Sequence, residues 1–230
     1  MLPHRNLGKS MPNQWLGLVD ALYAIAMTLL ALEAPATFFE YFRLFIDHGN
    51  LFYLFRGSYS ILTYLLVFFI TYELWCYQRT VLNVLSSEFH RFQNVISGLL
   101  LAIICLIPAW ASFLVKTHVQ FYSGYRSLTG RPEAFVMLLA PPMVALAFWL
   151  ISQLCPPRAS QLSTPETQII RRAAIQRCII FCLISLFYVA NFLHPSKAEP
   201  YGNITLSAYL IYSFNQDRFH NLLANLPWKR

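Results

Sequence analysis

Chemically capable residues are few in this chain, and the most informative sit in one stretch, N-Q-W-L-G-L-V-D-A-L-Y-A-I-A-M-T-L-L-A-L-E, from Asn13 to Glu33. It carries the carboxylates Asp20 and Glu33, the aliphatic hydroxyl of Thr28 and, among its branched aliphatics, Ile25, Leu29 and Leu32. Helix geometry turns each residue by about 100°, so with Ile25 at zero, Leu32 falls near −20°, Leu29 near +40° and Thr28 near −60°. The three aliphatics share a narrow stripe with the hydroxyl beside it. Asp20 lies at about −140°, near Ala24 and Ala31, on a face of small residues where helices approach closely. An intramembrane carboxylate normally needs a polar partner, so Asp20 reads as a packing and hydrogen-bonding residue. Periodicity alone leaves the stripe open between lipid, a neighbouring helix and an ion path.

Enzyme chemistry requires converging nucleophiles, acids or metal ligands. The chain has no G-x-S-x-G or H-E-x-x-H motif, and we predict that it is not an enzyme. Cys76, Cys105, Cys155, Cys178 and Cys182 show no repeated C-x-x-C spacing, which supports neither a disulfide framework nor a zinc site. His48, His118 and His194 have no ligand spacing with one another. No metal or cofactor is expected. Glu73, in the apolar part of the second helix and near Arg79, is expected to snorkel to the interface.

The elements that must position these residues are membrane helices. Of 230 residues, 57% are hydrophobic and only 12% charged, against roughly a quarter charged in soluble domains. Several apolar runs approach the roughly 20 residues that cross a hydrocarbon core. The run from Trp15 to Leu32 is too long for a signal-peptide core and lacks a small-x-small cleavage site, so it reads as the first membrane helix. Helices are predicted at 14–33, 52–77, 90–115, 133–154, 168–194 and 203–225. This is an all-α integral membrane fold, one six-helix domain over 1–230. The sixth is the weakest, because its apolar part, Ile204 to Phe214, is too short to span alone. Pro108 and the Pro141–Pro142 pair should kink helices 3 and 4, as architecture.

An even number of spans puts both termini on one side. Arg5, Lys9, Arg79, Arg91, Arg158, Arg171, Arg172, Arg177, Arg218, Lys229 and Arg230 fall on the terminal side. Only Arg43, Arg56, Lys116, Arg126, Arg131 and Lys197 fall on the other, whose first loop is acidic with Glu33, Glu40 and Asp47. The positive-inside rule therefore predicts cytoplasmic termini in a cell inner or plasma membrane. The formal charge of +7 is spread over these flanks rather than gathered in a patch, so nucleic acid is not an expected partner.

The segment D-A-L-Y-A-I-A-M-T-L-L-A-L-E-A-P, Asp20 to Pro35, resembles the opening helix of the lysosomal potassium channel family (transmembrane protein 175 type, prokaryotic single-repeat branch). That helix reads R-x-x-x-F-S-D-A-x-F-A-I-A-x-T-L-L-x-L. Trp75 near the end of helix 2, and Asn94, Leu99, Leu101 and Leu106–Ile107–Pro108 in helix 3, continue the likeness. The resemblance implies a homotetramer in the lipid bilayer, with four copies of helix 1 around a central path for potassium. In it Ile25, Leu29 and Leu32 match the hydrophobic constriction, and Thr28 a hydroxyl on the pore wall. The family's Arg, Phe and Ser are here Gln14, Leu18 and Val19, and its His three residues after the Trp is Gln78. A neutral network around Asp20 is therefore expected, with Gln14, Trp75 and Gln78 in structural roles.

The chain has no T-V-G-Y-G loop, so selection would rest on side-chain rings and be weak. The expected function is a potassium-permeable, weakly selective cation channel. Glu33, just past the stripe, would draw cations to the outer mouth. A proton-conducting pore or ion-coupled transporter is the alternative, and a membrane enzyme a more distant one.

Overall fold

The computed structural model describes residues 12–85, 91–122, 132–155, 165–193 and 201–215. Six helices follow in order: α1 (Pro12–His48), α2 (Leu51–Val84), α3 (Arg91–Tyr122), α4 (Pro132–Leu154), α5 (Pro165–Leu193) and α6 (Tyr201–Phe214). Helices 3, 4 and 5 lie close to their predicted spans. Helix 1 does not: it runs 37 residues, about 55 Å at 1.5 Å per residue. Glu33, Glu40, Arg43 and Asp47, expected in an external loop, are on this helix. Pro35 does not end it, because a proline costs one backbone donor and the neighbouring helix holds the rest in place.

The turn between α1 and α2 is Gly49–Asn50. Gly49 adopts φ +65°, the left-handed conformation that ends helices cheaply only in glycine. The Asn50 side chain then accepts from the Phe52 backbone N–H at 2.9 Å and caps α2. So short a turn forces α1 and α2 into a long antiparallel hairpin. Gly57 lets them close, since a Cβ there would sit 2.9 Å from the Phe38 ring.

Side chains with no exposure, among them Tyr23, Leu74, Leu100, Ile104, Phe148, Ile151 and Leu154, form the core where α1 to α4 meet. Phe181 and Tyr209 extend it to α5 and α6. Hydroxyls inside the helices satisfy themselves on the preceding turn, as Thr71 does on Val67 O and Ser185 on Phe181 O. The outside is apolar too, with Phe55, Leu65, Leu183 and Leu186 exposed. A core and a surface that are both apolar mark a bundle dissolved in lipid.

Four described helices are long and apolar enough to cross a membrane, α1, α2, α3 and α5, while the apolar stretch of α4, Leu138–Leu154, is shorter. The described α6 has 14 residues; the predicted stretch 216–225 lies outside the described residues.

Candidate functional site: the exposed stripe of α1 and its supports

On α1 the buried side chains are Val19, Tyr23, Ala26 and Leu30. They cluster between about 100° and 160° on the scale that sets Ile25 to zero. The aliphatic stripe lies opposite: Ile25 is 55% exposed, Leu29 46% and Leu32 65%, with Leu18 in line below them. Thr28 is exposed beside the stripe, and its hydroxyl donates to Ala24 O at 2.7 Å, which leaves the oxygen its two lone pairs as acceptors. Among the described residues no helix covers this face.

The opposite side of α1 is tied to α2 by polar contacts. Trp75 Nε1 donates to Asp20 Oδ1 at 2.7 Å. Tyr23, fully buried, donates through its hydroxyl to Gln78 Oε1 at 2.9 Å. Side chains lean toward their own helix N-terminus, so in an antiparallel pair Tyr23 and Gln78 lean toward each other and bridge their axial offset. Near the other end of the stripe the Tyr64 hydroxyl donates to Glu33 Oε2 at 3.1 Å. Glu33 is thus half-buried and held toward α2. Trp15 Nε1 donates to Asn94 Oδ1 at 3.0 Å and links α1 to α3.

Two sequence expectations are corrected here. The surroundings of Asp20 are not neutral: Arg79 Nη2 lies 4.0 Å from Asp20 Oδ2, and its guanidinium covers the Trp75 ring at 4.9 Å. Arg79 stands one helical turn after Trp75, a spacing that places both on one face and was legible in principle. Glu73 does not snorkel to the interface. Its Oε1 accepts from Arg177 Nε and from Ser213 Oγ, each at 2.9 Å, and its Oε2 accepts from the Tyr209 hydroxyl. Arg177 and Glu73 side chains are only 4% and 13% exposed, so this is a buried ion pair joining α2, α5 and α6. Gln14 lies in the first turn of α1, and its side chain is outside the described residues.

Among the described residues no cluster of His, Cys, Asp and Glu can hold a metal ion. What the arrangement can do is present an unbroken aliphatic face, braced from behind, to whatever occupies the space in front of α1. This defines an integral membrane bundle of apolar helices. Residues 16–108 match the endosomal/lysosomal potassium channel TMEM175 family, so α1, α2 and the first half of α3 carry that family's pattern. The likeness seen in Asp20 to Pro35 therefore extends through the whole braced hairpin. No curated protein and no solved structure matches the chain.

Proposed function

We propose that the chain is one subunit of a potassium-permeable, weakly selective cation channel, a homotetramer in which four copies of α1 surround the ion path. The observation that carries this reading is the exposed Ile25–Leu29–Leu32 stripe, which lies inside the segment matched to a potassium channel family. Burying such a stripe against lipid would need no bracing of its rear face. Here that face is fixed to α2 by Trp75, Gln78 and Tyr64, as a constriction held at a set radius requires.

In this reading Ile25 forms the narrowest ring, Leu29 and Leu32 continue it outward, and Thr28 oxygens offer ligands beside it. Rings of aliphatic side chains gate by narrowing or dewetting, and they discriminate among monovalent cations weakly. Glu33, pinned by Tyr64, adds negative charge near the outer end. Both termini face the cytoplasm, because the basic residues concentrate on that side.

Recording from purified protein in liposomes, potassium against sodium, tests the proposal. A current that follows the potassium gradient alone, with conductance or selectivity altered by Ile25→Ala, is the expected result. An ion-coupled transporter would instead require a second gradient. The buried Glu73–Arg177 pair is the feature that such coupling would use, yet the carboxylate already accepts from three donors and has little capacity left for a moving ion.

A further inference from the structure

Behind the Glu73 cluster, α5 and α6 diverge on the lipid side. Between them runs a groove of about 310 Å³ lined by Ile180, Ile184, Thr205, Ala208, Tyr209 and Tyr212. Cavities of about 150 Å³ with apolar walls already hold a benzene ring, so this groove can take a length of hydrocarbon chain. Its lining is mostly apolar, and Gln176 Nε2 donates to the hydroxyl of Tyr212 in its wall. Outside it, Ile179, Leu183 and Leu186 are exposed and make it continuous with the surface that meets acyl chains.

Two turns beyond the groove on α5 lies a charge, Arg172. Arg172 lies one turn before Gln176 and two turns before Ile180, so its Cα is about 12 Å along α5 from that wall. It falls about 80° from Ile180 around the helix, on the same side as Ile179 and Leu183. Arg172 is exposed, and among the described residues no carboxylate lies within ion-pairing distance of it. Glu166 is the described acid on the same helix, more than a turn nearer the N-terminus. Glu73, which accepts from the groove residue Tyr209, is also engaged by Arg177 and Ser213. A basic residue near the end of a candidate membrane span, Pro165–Val189, with an apolar trough starting two turns further in, matches a phospholipid with a negative head.

The geometry points to a binding site for one anionic phospholipid, its acyl chain along Ile180, Ile184 and Ala208 and its headgroup on Arg172. The site does not depend on ion conduction. A lipid seated there would pack α6 against α5 and so support the Tyr209 and Ser213 contacts to Glu73.

Native mass spectrometry of the detergent-purified full chain, titrated with phosphatidylglycerol or phosphatidylcholine of equal chain length, tests it. Wild type should retain phosphatidylglycerol about fivefold better, the preference expected from one basic residue at an anionic headgroup. Arg172→Gln should bring that ratio to about one while still retaining both lipids, since the trough is intact. Ala208→Trp, which fills the trough, should lose both. Arg172→Gln is a surface change, so its outcome stands even where Ala208→Trp fails to fold. An unchanged ratio in Arg172→Gln overturns the proposal. So does a loss of thermal stability in that variant without a change in lipid ratio, which would assign Arg172 to a partner in its own chain. Dissociation of an oligomer by Ala208→Trp, from a wild type that retains no lipid, would make the groove a contact between copies and overturn it as well.

Discussion

Trp75 Nε1 donates to Asp20 Oδ1 at 2.7 Å, and the ring that makes this bond also carries the Arg79 guanidinium 4.9 Å from its centroid. One side chain of α2 therefore holds both the carboxylate of α1 and the cation nearest to it. Trp75→Phe keeps a ring for Arg79 but removes the donor. A hydrogen bond to a charged group contributes about 1.5–3 kcal/mol when sheltered, and partial exposure of Asp20 reduces this to about 1 kcal/mol. Thermal unfolding in detergent should show a drop of that size. Asp20→Asn should keep the Trp75 bond and lose less, because the half-exposed Arg79 contact is worth about 1 kcal/mol at most.

The two faces of α1 should separate in mutagenesis. Ile25→Ala removes exposed carbon from the proposed constriction. It should raise single-channel conductance or loosen selectivity with little change in stability. Leu30→Ala, on the buried face, should cost about 2–5 kcal/mol and leave the conductance of surviving channels unchanged. Bilayer recordings beside unfolding curves decide this, and equal effects from both substitutions would count against the pore assignment of the stripe.

Among the described residues, breaking the buried Glu73–Arg177 pair should be the costliest polar change. Glu73→Gln leaves Arg177 uncompensated and should cost about 3–5 kcal/mol. The double variant Glu73→Gln with Arg177→Met should recover most of this loss, since the expense lies in the orphaned charge. A thermal-melt cycle over the four proteins measures the coupling directly.

Gly57 sets the spacing of the hairpin. A valine there meets the Phe38 ring and Tyr41 Cβ, at 2.9 Å and 3.3 Å for the first carbon alone. Overpacking of this kind costs about 1–3 kcal/mol, and Gly57→Val should lower the melting temperature accordingly.

Glu33→Gln tests charge at the outer end of the stripe. The amide can still accept from Tyr64, so stability should hold while conductance at low salt falls. The difference should vanish at high salt, where a Debye length of about 3 Å screens a single carboxylate.

Much of this was legible in the residues. The period of α1 put Ile25, Leu29 and Leu32 on one stripe, and the described residues leave that stripe exposed. The extent of α1 was not legible, because Pro35, Glu40, Arg43 and Asp47 carry the composition of a loop. Their helicity depends on packing against α2 across Gly57, which local propensity does not record. Nor did the sequence reveal the Glu73–Arg177 pair. Its members are 104 residues apart, and Arg79, close by in sequence, offered a nearer but unused partner. Tyr23 was passed over for a similar reason: an aromatic in an apolar run gives no sign of where its hydroxyl points.

Gln78 occupies the place where the related pattern has a histidine, and it receives the Tyr23 hydroxyl deep between α1 and α2. An imidazole at that place would gain or lose a proton near neutrality. A carboxamide has no such proton to exchange. This joint between the two helices is thus indifferent to acidity, and any response of the protein to an acidic compartment must originate elsewhere than at the Tyr23–Gln78 contact.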